Sequence, residues 1–220
     1  MNKRYAIFDF DGTLVDSMLY WQGEERDFLA ARGVTNPQTV ADTLELIKPM
    51  SIGPACRVMI ERFGFSDSPE DAAAHFAAVM GKRYRESLPA KSGAPDYLEA
   101  LRRRGVRMAV ASGTSVELMD ACLKRLGLRE SFDFLLSCMD VGAGKERPDV
   151  YLEAARRLGA PPPEIAVYED SNIAMNTAKG AGFYGVGMYD PQGADHWEEL
   201  RAIADENFTD WPAALRALDS

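Results

Sequence analysis

From Asp96 onward the chain alternates between helical periodicity and short apolar runs, and no other feature restricts its fold as tightly. "DYLEALRRRG" reads as a helix ending at Gly105, and "VRMAVASG" as a strand closing in a turn of small residues. "SVELMDACLKRLG", "PDVYLEAARRLG" and "NIAMNTAKGAG" are further helices, the second starting at Pro148. "FDFLLS", "EIAVYED" and "FYGVGM" are further strands, and a last helix and short strand run to Ser220. Apolar strands separated by helices need cover on both faces, which a parallel sheet in an α/β protein supplies. The expected core is therefore Rossmann-like: a parallel sheet flanked by helices.

One strand stands apart from this series. "YAIF", starting at Tyr5, is followed by four helical patterns with no strand between them. The first runs from about Met18 to Arg32. The second places Val40, Leu44 and Ile47 on one face, and the third does the same with Ile52, Cys56, Met59, Ile60 and Phe63. The fourth opens on "SPED", with Ser68 as N-cap, Pro69 at the first helical position, and Glu70 and Asp71 at the positive end. "SLPAKSGAP", from Ser87 to Pro95, reads as a linker. The expected organisation is an α/β core of residues 1–16 plus 92–220, interrupted by a four-helix domain over residues 17–91.

Composition narrows the classes of function. A net charge of −9 argues against a general nucleic-acid-binding surface. No run approaches the length of a spanning helix, and the apolar run after Lys3 and Arg4 is too short for a signal peptide. Cys56, Cys122 and Cys138 are an odd number with no CxxC pair, which suits reduced, buried thiols in a cytoplasmic protein. His75 and His196 are the only histidines and neither follows a strand, so a histidine-dependent triad or zinc site is not expected. Tyr20 and Trp21 are expected to pack within the helices.

In open parallel sheets, ligands bind beyond the carboxyl ends of the strands. The first strand ends in Asp9-Phe10-Asp11-Gly12, and strand alternation puts Asp9 and Asp11 on one face. Two carboxylates so close raise each other's pKa unless a cation sits between them. The second strand ends in Ser112-Gly113-Thr114-Ser115, the loop after the third carries Lys145, and the fourth ends in Glu169-Asp170-Ser171-Asn172. Any one of these has an ordinary explanation as a turn, a cap or a solvated lysine; all four at successive strand ends describe a site for a magnesium-bound phosphoryl group. Hard oxygen ligands from Asp9, Asp11 and Asp170 suit Mg²⁺, with Asp11 able to contribute through its backbone carbonyl. Ser112 and the Gly113 amide can hold phosphate oxygens near a helix N-terminus, and Lys145 can offset developing charge.

"DFDGTLVDS", "ASGTS", "GKERPDVYLEAA" and "YEDSNIAMNTAKGAG" together resemble the haloacid dehalogenase superfamily, in its subfamily with a helical cap inserted after the first motif. The resemblance implies that Asp9 is a nucleophile forming an aspartyl-phosphate, and that Asp11 is the general acid and then base. It maps the phosphate-binding serine to Ser112, the lysine to Lys145 and the metal-binding acid to Asp170, with Glu169 as a ligand or the partner of one. Two motifs depart from the usual pattern: Glu146 stands where many relatives have proline, and Ser-Gly-Thr replaces a more usual second motif.

The implied activity is a Mg²⁺-dependent phosphatase acting on a small phosphorylated metabolite, as a monomer or small homo-oligomer. Asp11 argues against the phosphonate-cleaving and dehalogenase branches. A β-phosphoglucomutase-like mutase is the alternative. The cap histidine and arginine of that branch correspond loosely to Trp21 and Ile52, which weakens it, while Lys48 and Ser51 in the matching loop keep it open. A non-catalytic phospho-aspartate receiver is a third reading, opposed by the length of the chain and the order of its motifs.

Overall fold

The structure, a computed structural model, describes residues 3–48 and 50–218. The chain forms two compact units, one made of Met1–Ser17 with Leu88–Ser220 and the other of Met18–Ser87.

The second unit holds four helices: α1 (Met18–Ala30), α2 (Pro37–Ile47), α3 (Ile52–Phe63) and α4 (Pro69–Glu86). Asn36 caps α2 by accepting from the Thr39 amide, and Ser68 caps α4 by accepting from the Asp71 amide, both at 3.0 Å. Their apolar faces meet in a core that includes Phe28, Leu29, Leu44, Ile47, Cys56, Met59 and Phe76. A two-pronged Arg32–Asp67 pair, at 2.8 and 2.5 Å, joins the end of α1 to the loop before α4. Trp21 donates from Nε1 to the Tyr84 hydroxyl at 3.3 Å, and the Arg83 guanidinium lies 5.5 Å from the Tyr20 ring, so both aromatics have partners within this unit.

The first unit is built on a sheet of six parallel strands: β1 (Tyr5–Phe8), β2 (Arg107–Ser112), β3 (Phe134–Ser137), β4 (Ile165–Glu169), β5 (Tyr184–Met188) and β6 (Glu206–Phe208). Their order is β3-β2-β1-β4-β5-β6. The remaining helices are α5 (Ala94–Arg103), α6 (Val116–Arg125), α7 (Cys138–Val141), α8 (Asp149–Leu158), α9 (Asn172–Gly180), α10 (Trp197–Ile203) and α11 (Trp211–Leu218). The C-terminal segment differs from the expectation of a last helix and strand. A further helix, α11, follows β6, its first turn held by Asp210 Oδ1 accepting from the Ala213 amide at 2.6 Å.

Strand alternation sorts the core into two faces. Ile7, Ile165 and Val167 pack with Val150, Tyr151, Ala154 and Leu158 of α8 and Ala178 of α9. On the opposite face Phe8 stacks on Tyr168 at 4.3 Å between ring centres, and Tyr97 of α5 and Trp211 of α11 close over Tyr168. The strand order reverses direction at β1: β2 and β3 lie to one side, β4 to β6 to the other. That switch point, between β1 and β4, is where an open parallel sheet leaves a crevice at its carboxyl edge.

Candidate active site

Asp9 is set by the ladder itself. Its amide donates to the Tyr168 carbonyl at 2.9 Å, extending the β1–β4 pairing by one residue. Tyr5 and Ile7 precede Asp9 at two-residue steps, and Ile165 and Val167 precede Glu169 in the same way, so both acids emerge on the α8 face in adjacent strands. Like charges in that position repel. Lys145, in the loop before α8, lies against both: its ammonium bonds Asp9 Oδ1 and, at 2.5 Å, Glu169 Oε1.

After Asp9 the chain makes a tight turn. Gly12, at φ 80°, donates to the Val15 carbonyl at 3.0 Å, and the Leu14 and Val15 amides both return to the Phe10 carbonyl. A side chain at Gly12 would be strained in this left-handed conformation. The turn fixes Asp11, whose carboxylate accepts from three hydroxyls: Ser17 Oγ donates to Oδ1 at 2.7 Å, Thr114 Oγ1 to Oδ2 at 2.7 Å, and Ser112 Oγ to Oδ2 at 3.4 Å. The two aspartates of the motif are thus neighbours with different company. Asp9 looks toward β4 and the lysine; Asp11 looks toward the end of β2.

Asp170, one residue beyond β4, accepts from Thr13 Oγ1 at 3.3 Å. Carboxylate oxygens of Asp9, Glu169 and Asp170 all lie within 4.8 Å of one another. Burial first, then the charge of Glu169, pushes the Asp9 carboxyl up to about 7 against the opposing pull of Lys145. Burial and the charge of Asp9 hold Asp170 well above the usual carboxylate range as well. Lys145 moves up despite its burial, because Asp9 and Glu169 favour its charged form. Three acids around one ammonium leave an excess of negative charge, and an all-oxygen donor set fits a hard divalent cation such as Mg²⁺.

At the end of β2, Ser112 is buried while Gly113 is exposed, with nothing within 4 Å of where its Cβ would stand. Ser112 Oγ also accepts from the Thr114 amide at 3.0 Å, which draws the loop into a tight curve before α6. The structure thus brings Asp9, Lys145, Glu169 and Asp170 into one cluster, and places Asp11 with Ser112 and Thr114 beside it. His75 lies against the Phe28 and Phe76 rings within the helical unit, and His196 pairs with Asp195 on the surface; neither is one of the clustered residues.

Several participants escaped the sequence. Thr114, Ser17 and Thr13 are hydroxyls whose partners become visible only once the strand ends are assembled. Tyr151 of α8, fully buried, donates to Glu169 Oε1 at 2.6 Å. Lys91 bonds Asp190, a buried acid after β5, and also Asp16 at 3.1 Å. The segment read as a linker is also more engaged than its composition suggests. Asp16 donates from its amide to the Pro89 carbonyl and Lys91 to the Leu14 carbonyl, which ties Leu88–Lys91 into the sheet-bearing unit.

Residues 3–182 match the family model of the haloacid dehalogenase-like hydrolases, and the chain belongs to that family. Among its relatives, hexitol phosphatase B of Escherichia coli K12 is 29% identical over 188 residues, covering 80% of this chain and 79% of its own. A phosphorylated carbohydrates phosphatase of Thermotoga maritima is also 29% identical, over 185 residues, covering 82% of this chain and 84% of its own. Among solved structures, CbbY from Rhodobacter sphaeroides in complex with phosphate superposes with a TM-score of 0.78 at 25% identity over the full length of both chains. Among the described residues no helix is long and apolar enough to cross a membrane.

Proposed function

We propose that this chain is a Mg²⁺-dependent phosphatase that hydrolyses a small phosphorylated sugar or polyol through a phosphoaspartate on Asp9. The observation that carries this reading is the division of labour between two neighbouring aspartates. Asp9 sits in a buried, lysine-contacted cluster of acids at the switch point, whereas Asp11 accepts from the hydroxyls of Ser17 and Thr114 beside the end of β2.

Asp9 attacks phosphorus with one carboxylate oxygen, and the bond to the leaving alkoxide breaks. Asp11 delivers its proton to that alkoxide, then accepts one from the water that attacks phosphorus in the second step. Inorganic phosphate leaves and Asp9 is restored. Ser17 and Thr114 keep Asp11 oriented through both transfers. Ser112 and the Gly113 amide receive phosphoryl oxygens, and Lys145 balances the charge that builds on them. Mg²⁺, held by Asp9, Asp170 and the Asp11 carbonyl with Glu169 as a further ligand or support, would neutralise the phosphoryl group and favour the ionised form of Asp9. We assign the choice of leaving group to the inserted helical domain.

The sugar-phosphate substrates named for the relatives support the substrate class. Free, buried Cys56, Cys122 and Cys138 fit a reducing compartment, in keeping with work on dissolved cytoplasmic metabolites. A panel of hexose, pentose and hexitol phosphates, assayed for phosphate release with and without Mg²⁺, tests the reading. Metal-dependent release from one of them is the expected result. Conversion to an isomeric sugar phosphate without free phosphate would replace hydrolysis with a mutase reaction.

A further inference from the structure

Glu169 is almost wholly buried, and a buried carboxylate depends on donors for its position. Among the described residues it has two, and both reach the same oxygen: Lys145 at 2.5 Å and the Tyr151 hydroxyl at 2.6 Å converge on Oε1. Tyr151 also presents its ring to the lysine, with Nζ 5.9 Å from the ring centre. The ring is locked against Phe183 within the α8 face of the core, so the hydroxyl has little freedom to follow a moving partner. With Oε1 taken twice, Oε2 is the oxygen Glu169 can give to a cation or to the charge around Asp9 and Asp170.

We infer that Tyr151 is a positioning residue: its hydroxyl fixes the rotamer of Glu169, and through it the placement of Lys145 against Asp9. Helical periodicity alone makes Tyr151 one more apolar position on the buried stripe of α8, and a phenylalanine would fill that role equally. The hydroxyl is what the stripe does not need. Without it Glu169 keeps only the lysine and is free to turn toward the cluster, drawing Lys145 from Asp9. Partners that orient ligating groups typically change metal affinity or activity by about 10- to 100-fold when removed.

This inference rests on the Mg²⁺ site proposed above, and the experiment separates the two. Mg²⁺ binding to wild type, Tyr151→Phe and Tyr97→Phe is measured by isothermal titration calorimetry without substrate, alongside kcat and KM on the best substrate of the panel. Tyr97→Phe is the control, because it deletes a buried hydroxyl bonded at 2.6 Å to the hydroxyl of Tyr168, a neutral group packed among rings on the sheet face opposite Glu169. The expected result is Mg²⁺ binding about 10-fold weaker in Tyr151→Phe with a fall in kcat at unchanged KM, and wild-type values in Tyr97→Phe. Wild-type binding and kcat in a folded Tyr151→Phe, or equal losses in both variants, would overturn the positioning role while leaving the phosphatase reading intact. No Mg²⁺ binding by wild type would remove the metal site itself, and the role of Tyr151 with it.

Discussion

Two successive residues of β4, Tyr168 and Glu169, each receive a tyrosine from a covering helix, one on either face of the sheet. Tyr97 of α5 and Tyr168 share a hydroxyl–hydroxyl bond of 2.6 Å inside a cluster of rings with Phe8 and Trp211. Tyr151 of α8 makes a bond of the same length to Glu169, but that acid adjoins Lys145, Asp9 and Asp170. The first pair is neutral, and burial pushes the Tyr97 phenol up to about 12, which keeps its proton in place. The second ends in charge that the surrounding protein does not fully compensate. Equal geometry therefore joins two packed rings on one face and a cluster of charges on the other, and the difference lies in what the acceptor is connected to.

The charged side is broken most severely at Asp9. Asp9→Asn removes the proposed nucleophile, and phosphate release should fall by at least about 10³-fold, read in a colorimetric assay on a folded, monodisperse sample. Asp11→Asn should cost about 10²–10⁴-fold through loss of the proton relay. Because its amide remains close to isosteric, the variant should still bind Mg²⁺ in calorimetry.

The same imbalance sets a pH dependence. The folded protein holds Asp9 up to about 7, so between roughly pH 4 and 7 it binds more protons there than the unfolded chain, and Asp170, also held well above its usual range, acts in the same direction. That contribution to stability is present at low pH and is lost as pH rises through about 7. Mg²⁺ competes with those protons. The rise in melting temperature caused by saturating Mg²⁺ should therefore grow from pH 5.5 to pH 8, whereas in Asp9→Asn it should be smaller and flatter. The neutral side of the comparison responds least. Tyr97→Phe should lower stability by about 1 kcal/mol in urea denaturation, with kcat and Mg²⁺ affinity unchanged.

This contrast also shows what a sequence reveals and what it hides. Asp9, Asp11, Ser112, Glu169 and Asp170 are legible as candidates because each sits at the end of an apolar run, where a polar residue has no packing reason to be, and Lys145 because its loop follows another such run. The alternation of runs and helices also announced the parallel sheet. Tyr151 left no such mark: in "PDVYLEAARRLG" it fits the buried helical stripe, and its acceptor lies 18 residues away on another element. Thr114 and Ser17 were hidden in the same way, as small hydroxyls in turns. Helix α11 was missed because eight residues opening on Trp-Pro show little more than two turns of periodicity. Leu88–Lys91 read as a linker because two of their bonds, to the Leu14 carbonyl and from the Asp16 amide, run through the backbone, which carries no residue signature, and the acids that meet the Lys91 side chain lie far off in sequence.

The central claim is that Asp9 becomes covalently phosphorylated during turnover. Rapid acid quench of the Asp11→Asn variant with substrate and Mg²⁺, followed by peptide mass mapping, tests it most directly, since that variant slows hydrolysis of the intermediate. The account predicts one phosphoryl group on the peptide containing Asp9, absent without Mg²⁺ and absent when Asp9→Asn is combined with it. An Asp9→Asn protein that turns over normally, or an Asp11→Asn protein that consumes substrate with no phosphorylated peptide at any quench time, would contradict it.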